Sequence, residues 1–277
     1  MQPAFQFALD SWSLPIPVTM ALILMAFIYL RGWLHLRRAL PNAIPTSRMA
    51  SFLCGLFSVW LAVASPLGAL DEQWLSVHMV QHLLLMTVAP PLILLGAPPL
   101  LLLHGLPSAF NRSFLGPFLR SSFLEHIGYL VREPLFCWLA AIIVLIGWHV
   151  PAAFSLGLQS HLWHEVEHAS FFVAGLLFWW PVISPWPSVP RHSRWSIVLY
   201  LFLATLPCDA LSAYLAFCDR VVYPEYLSVQ RQFGMTALQD QELAGALMWV
   251  FVTFAYLLPA VYFTTSLLWH SGAEEQA

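Results

Sequence analysis

Long apolar stretches dominate the chain, and short polar or proline-containing segments separate them. A transmembrane helix needs about 20 mainly apolar residues, and seven stretches approach this length. They are residues 15–34, 50–69, 74–95, 134–148, 162–183, 195–217 and 243–269. The pattern therefore predicts an all-α integral membrane protein with seven transmembrane helices in a single domain, residues 1–277.

Two of the predicted spans have unusual ends. The fourth is short, and a start near His126 would lengthen it. The third is followed by an apolar segment behind Pro98, residues 98–103, which we interpret as a broken extension or a re-entrant piece.

The composition supports a membrane location. Hydrophobic residues make up 60% of the chain and charged residues only 9%, whereas soluble domains carry about 25% charged residues. The net charge of −3 offers no basic surface for nucleic acid. The chain contains no lysine, which excludes a Schiff base to retinal or pyridoxal phosphate. The four cysteines lack CxxC spacing and indicate neither a disulfide framework nor a zinc finger.

The arginines predict the orientation. Nine of the eleven fall in the loops after the first, third and fifth spans: Arg31, Arg37, Arg38, Arg48, Arg112, Arg120, Arg132, Arg191 and Arg194. Only Arg220 and Arg231 fall in the sixth loop. Because basic loops stay in the cytoplasm, the N-terminus is expected outside and the C-terminus inside. No basic residue precedes the first apolar run, so this run is not expected to be a cleavable signal peptide.

The eleven histidines divide by their predicted depth. Five lie near the cytoplasmic ends of spans, where interfacial polar residues are common: His35, His104, His126, His192 and His270. The other six lie near the outer ends of the third, fourth and fifth spans: His78, His82, His149, His161, His164 and His168. Ionisable groups inside a membrane are costly and indicate function.

The spacing of these six predicts a metal site. His78 and His82 are four residues apart, as are His164 and His168, so each pair shares one helix face. Two facing pairs would offer four imidazoles to one ion, and His149 would cap the site. His161 lies about 10 Å along the helix from His168, too far for both to bind one ion, and is a further candidate ligand.

Other groups at the same depth complete the predicted site. Metal-bound histidine commonly gives its second N–H to a carboxylate or carbonyl. The expected partners around the ligands are Gln81, Glu167, Asp240 and Gln241. Met79, Met86 and Met248 are further candidate ligands. Imidazole suits zinc, copper, iron and nickel, while thioethers favour Cu(I), so the residue types favour copper without deciding the metal.

Two other interpretations remain open from the residues. The segment His164–His168 reads HEVEH and fits the H-E-x-x-H signature of zinc metalloproteases, in which Glu165 would be the general base. Facing histidines could also hold a haem iron.

Several segments resemble one family along nearly the whole chain. They are HMVQHLLL (78–85), APPL (89–92), LGAP (95–98), WHVP (148–151), LWHEVEH (162–168), FWWP (178–181), DQELAG (240–245) and MW (248–249). Together they resemble the CtaG-type, seven-span assembly factors of cytochrome c oxidase.

The resemblance implies a copper-handling assembly factor and not an enzyme. The positions that match the family pattern are His78, His82, His149, His164 and His168. The expected cargo is copper as Cu(I), received from a donor at the outer face and delivered to the catalytic subunit of a haem-copper oxidase. The expected location is the bacterial cytoplasmic membrane, within the lipid bilayer, and a homo-oligomer is left open. The family's acid matches Glu167, which makes the H-E-x-x-H fit at Glu165 incidental.

Overall fold

The computed structural model describes residue 12 and residues 14–39, 44–185, 192–228 and 234–274. Within these ranges the chain forms helices and no strand, as the sequence predicts. In chain order the helices are α1 Ile16–Ala39, α2 Thr46–Ala64, α3 Leu75–Leu95, α4 Pro98–Gly105, α5 108–119, α6 Ser122–Leu130, α7 Pro134–His149, α8 Pro151–Gln159, α9 His161–Ile183, α10 Arg194–Phe217 and α11 Ala237–Glu274. Arg191 and Arg231 lie outside the described residues.

Six of the described helices are long and apolar enough to cross a membrane: α1, α2, α3, α9, α10 and α11. The predicted fourth span, residues 134–148, corresponds to α7, which passes the same test only together with α8, and the two helices are bent by 75°. The bend lies at Val150, which is extended (φ −66°, ψ 126°) and precedes Pro151. A proline disfavours helical geometry in the residue before it, so α7 ends at His149.

The structure moves several predicted boundaries. The start of the fourth span near His126 is wrong, because His126 belongs to the separate helix α6 and α7 begins at Pro134. Helix α11 begins at Ala237, before the predicted residue 243, and its first turns carry the polar residues Asp240 and Gln241. Apolar runs mark the stretch that avoids water, whereas helices continue into polar residues at both ends.

Helix α3 is the most buried of the six long helices. Its middle forms a π-helical turn, Leu84–Val88, directly before Pro90 and Pro91. Because Pro90 has no N–H, the carbonyl of Met86 loses its usual helical donor, and the indole of Trp179 on α9 donates to it at 3.1 Å. The proline-induced irregularity in α3 is therefore stabilised by its neighbour α9.

The segment after α3 is a separate helix, α4. The break lies at Ala97, whose φ of 50° is left-handed, and Pro98 opens α4. Helix α4 packs closely on α1, because a Cβ at Gly32 would lie 1.8 Å from the carbonyl oxygen of Leu101. Gly105 approaches Ile28 in the same way, since a Cβ there would lie 1.9 Å from its carbonyl oxygen. Helix α4 therefore runs antiparallel to α1, and residues 98–103 turn back along the first span, as the re-entrant alternative predicts.

Helix α3 lies between α2, α9 and α11. On α9, Gly175 permits close approach, since a Cβ there would lie 2.7 Å from the carbonyl oxygen of Met86. Helix α7 packs on α9 and α10. We call the end of the bundle that holds the first turns of α3, α9 and α11 the histidine end, and the opposite end the arginine end.

Candidate metal centre

Helix α3 presents His78 and His82 to the interior at the histidine end. Their side chains are 1% and 5% exposed, and their ring centroids lie 4.3 Å apart. The four-residue spacing places them on one helix face, as predicted from the sequence. His82 also stacks on Phe171 of α9 at 4.0 Å. Burial on three sides holds both rings in place.

Helix α9 presents the second pair, His164 and His168, with ring centroids 4.2 Å apart. The ring of His78 lies 5.6 Å from that of His164, and the ring of His82 lies 5.7 Å from that of His168. The structure thus brings the two predicted pairs face to face, because α3 and α9 are neighbours.

His149 joins the group from the last turn of α7. Its ring centroid lies 6.2 Å from that of His82, and its Nδ1 lies 2.7 Å from the carbonyl oxygen of Leu145. A carbonyl can only accept, so Nδ1 carries the hydrogen and Nε2 keeps a free lone pair for a metal. His149 lies beside His82, whereas Phe154 of α8 packs on His78 at 5.1 Å. We call His78, His82, His149, His164 and His168 the histidine cluster.

Glu167 is the acid inside the cluster. It is 1% exposed, and its Oε1 lies 3.6 Å from His78 Nε2 and 3.4 Å from His82 Nε2. The sequence predicted Glu167 as a partner of the ligands, and its carboxylate lies against the pair on α3. Its oxygen and the two imidazoles lie within 4.8 Å of one another, so these three groups could bind one ion directly.

Asp71 is a second buried acid at the cluster, and sequence reasoning missed it. It lies in the short connection before α3, is 1% exposed, and places Oδ2 3.6 Å from His164 Nε2. Asp71, His78 and His164 form another group whose ligand atoms lie within 4.8 Å of one another. His78 therefore belongs to two adjacent groups of ligands. The available signal was an acid seven residues before His78 in a chain with few charges.

The nitrogen and oxygen atoms of the cluster that could bind a metal have no hydrogen-bond partner among the described residues. The Nε2 atoms of all five histidines and Oε1 of Glu167 are buried without a hydrogen-bond partner there. A buried polar group left unpaired costs about 1–3 kcal/mol. Imidazole and carboxylate are common ligands of transition metals. A cation bound in either group of three ligands would satisfy several of these atoms, and neither group includes His149 or His168. The residues present therefore fit a metal ion.

Tyrosines from the connection between α10 and α11 close the histidine end. The hydroxyl of Tyr223 donates to the carbonyl of His149 at 3.1 Å, and that of Tyr226 donates to the carbonyl of Asp71 at 2.9 Å. Burial raises the pKa of Tyr226 well above its ordinary range, and the nearby carboxylates of Asp71, Asp240 and Glu167 raise it further. Its hydroxyl therefore stays protonated and continues to donate.

Burial also acts on Asp71. It raises the pKa of this carboxyl from 3.8 to about 6, and the nearby His78 partly offsets the effect. An ionised carboxylate is costly in such a place unless a positive charge lies beside it. The energetics of Asp71 therefore favour a neighbouring cation.

The remaining predicted partners lie around the cluster in supporting contacts. Asp240 accepts from the N–H groups of Leu75 and Ser76 at 2.7 and 3.2 Å, and so caps α3. Gln81 donates to the carbonyl of Ala62 at 2.9 Å. Gln241 accepts from the N–H of Val222 at 2.7 Å. The contacts of Asp240 and Gln81 hold α3, which carries His78 and His82, and that of Gln241 joins α11 to the segment after α10.

His161 lies apart from the cluster. It is 88% exposed and pairs with Glu165, which is 63% exposed, at 3.7 Å. The two residues lie on a different face of α9 from Glu167. Glu165 is therefore not placed where the H-E-x-x-H motif requires a base beside the metal.

The three predicted methionines are all buried below the cluster. They line one small cavity together with His82 and His149: Met79, Met86 and Met248.

A wider groove opens on the other side of the cluster. Its volume is about 550 Å³, and its polar lining includes Asp71, Glu72, His161, His164, Glu165 and His168. The groove connects the exposed pair on α9 with the buried ligands.

Comparison with known families gives one match. The family described as cytochrome c oxidase caa3 assembly factor (Caa3_CtaG) matches residues 27–269. Comparisons with curated proteins and with solved structures gave no match. The match begins within α1, ends within α11 and includes the whole histidine cluster. The chain therefore belongs to the cytochrome c oxidase caa3 assembly factor family.

Proposed function

We propose that this chain binds copper with the histidine cluster and delivers it to the catalytic subunit of a haem-copper oxidase. One observation carries the proposal: three buried and two half-buried imidazoles and Glu167 bring buried, unpartnered ligand atoms close together. Family membership supplies the context of oxidase assembly. Neutral imidazoles suit this role, since they add no charge to the membrane interior.

The proposal includes seven spans, with α7 as the fourth. Its 16 residues extend about 24 Å, somewhat less than the hydrocarbon thickness of about 30 Å. The bend at Val150 and helix α8 then complete the crossing. Arg37, Arg48 and Arg194 lie at the arginine end, which the positive-inside rule assigns to the cytoplasm. The histidine end then faces outward in a bacterial cytoplasmic membrane.

The groove beside α9 supports access from outside. Glu72, Glu165 and His161 offer polar contacts at its rim, and Asp71 and His164 lie at its inner side. Copper would pass from these groups to the ligands around His82 by exchange of one ligand at a time. His78 belongs to both groups of ligands and can stay bound during the exchange.

The geometry gives less support to the two other interpretations. A metalloprotease needs Glu165 at the metal, whereas this residue is exposed and paired with His161. A porphyrin needs an open slot between its axial ligands, whereas the histidine rings pack within 4.2–6.2 Å of one another.

Metal analysis of the purified full-length protein tests the proposal. We expect copper in the wild type, loss of copper in His82→Ala and His168→Ala, and retention in the control His35→Ala, which lies exposed at the arginine end. X-ray absorption at the copper edge should report nitrogen ligands from imidazole among the neighbours of copper. Cells that carry either cluster variant should assemble oxidase with little copper in its catalytic subunit.

Two results would contradict the proposal. One is a wild-type protein that takes up no copper when the ion is supplied. The other is equal copper content in the wild type and in both cluster variants.

A further inference from the structure

A small cavity lies beneath the histidine cluster, within the membrane interior. Its volume is about 30 Å³, whereas a single water needs about 10–15 Å³ by the same kind of measure. The cavity lies between α3, α7, α9, α10 and α11 and has an almost entirely apolar lining. It is large enough for one ion without its hydration shell.

Sulfur is concentrated around this cavity. Three of the eight methionines and one of the four cysteines line it: Met79, Met86, Met248 and Cys208. All four are buried, with exposures of 1–6%. They come from three helices, so their meeting follows from the packing of α3, α10 and α11. Thioethers and thiolates are soft ligands that select Cu(I) over zinc and harder ions.

Two members of the histidine cluster line the same cavity, namely His82 and His149. Their Nε2 atoms are buried without a hydrogen-bond partner among the described residues. At His149 the bond from Nδ1 to the Leu145 carbonyl leaves Nε2 as a lone-pair donor. The lining of the cavity therefore combines two unpartnered nitrogen ligands and four sulfur-containing side chains with hydrocarbon groups.

We propose that this cavity is a second copper position that takes Cu(I), with sulfur from Met79, Met86 and Met248 added to the imidazoles of His82 and His149. Cys208 lines the wall of the same cavity. This inference rests on the proposed function and deepens it, because it states the oxidation state and the side of the cluster on which the ion is held. The imidazole and carboxylate groups near His78 accept several metals, and the sulfur position favours Cu(I) among them. No electron transfer is involved, since the ion enters and leaves as Cu(I).

The test uses the full chain in lipid nanodiscs, stripped of metal and kept anaerobic. Cu(I) and Zn(II) are titrated separately against competing chelators, and the Cu(I)-loaded protein is examined by X-ray absorption at the copper edge. The variant is Met86→Leu combined with Met248→Leu, because leucine conserves volume and costs little stability in a core. The control is Met20→Leu combined with Met25→Leu, since both residues are exposed on α1.

We expect a sulfur shell around copper in the wild type and in the control. In the Met86→Leu, Met248→Leu variant the sulfur signal should fall sharply and Cu(I) affinity should drop at least about tenfold, while Zn(II) affinity stays unchanged. A wild-type spectrum with only nitrogen and oxygen ligands would overturn this inference and leave the proposed function standing. Equal losses of Cu(I) and Zn(II) affinity in the variant would also overturn it. A wild type that binds no copper would overturn both.

Discussion

The histidines at the two ends of the bundle have opposite surroundings. At the arginine end, His104 is exposed and its Nδ1 lies 2.9 Å from the carbonyl of Leu100, while Nε2 of His192 lies 3.0 Å from the carbonyl of Arg132. At the histidine end, five rings pack together and their Nε2 atoms are buried without such a partner among the described residues. The number of histidines at an end of the bundle does not distinguish the two ends. Burial of several unpartnered ligand atoms in one place is what makes the histidine cluster a candidate metal centre.

Helix α9 repeats this contrast within two turns. His161 and Glu165 are largely exposed and pair with each other. His164, Glu167 and His168 lie on the face that packs towards α3. A motif read along the sequence, such as HEVEH, mixes residues from both faces. The fold separates them, and only the inner face has metal-binding geometry.

The largest expected effect is that of His78, which belongs to both groups of ligands. In His78→Ala, copper affinity should fall by at least about 100-fold. This loss should exceed that caused by substituting a residue that only supports the ligands. His104→Ala at the arginine end should leave it unchanged. Competition with a chelator of known affinity measures both. Equal affinities in the two variants would show that the contrast between the ends has no functional meaning.

A second prediction separates the two faces of α9. Glu167→Gln should reduce copper affinity by about 10- to 100-fold, because it removes the carboxylate that lies between His78 and His82. Glu165→Gln should have little effect, since its carboxylate is 63% exposed. The same titration is the measurement. If Glu165→Gln abolished function while Glu167→Gln did not, the metalloprotease interpretation would gain support.

The sequence predicts part of this site because its signals are local. The spacing of His78 and His82, and of His164 and His168, determines a shared helix face before any packing is known. The composition and the apolar runs predict the all-helical membrane fold for the same reason. What the sequence cannot predict depends on contacts between distant segments.

Asp71 and Glu167 illustrate the part that could not be predicted. Asp71 is buried because the connection before α3 packs beneath Tyr226, which lies 155 residues further along the chain. Glu167 contacts α3 instead of the histidines of its own helix, and this depends on the distance between two helices. The bend at Val150 was also missed, although Pro151 was a local signal for it. The sequence named the three methionines as candidate ligands, but the cavity that they line forms only where α3, α10 and α11 meet, which no spacing along the chain reveals.

A third prediction, with a smaller expected effect, tests how tightly Glu167 is positioned. A Cβ at Gly157 of α8 would lie 2.7 Å from Oε2 of Glu167, so Gly157→Ala should displace the carboxylate. We expect copper affinity to fall about tenfold, equivalent to about 1.4 kcal/mol. Gly147→Ala is the matched control, because a Cβ there meets nothing within 4 Å. Unchanged affinity in Gly157→Ala would show that Glu167 can move without loss.

The smallest expected effect concerns Tyr223, one of the tyrosines at the histidine end. Tyr223 stacks on Phe154 at 3.9 Å, and its hydroxyl donates to the carbonyl of His149. This hydrogen bond links the segment between α10 and α11 to the end of α7. Tyr223→Phe keeps the ring and removes the hydrogen bond, which should reduce stability by about 1 kcal/mol. Tyr262→Phe, at an exposed position on α11, should not change the thermal transition. Copper affinity should fall only slightly in Tyr223→Phe, because the hydroxyl contacts the backbone of His149 and not its imidazole. A large loss of copper with an unchanged thermal transition would instead mean that Tyr223 acts on the ligands directly.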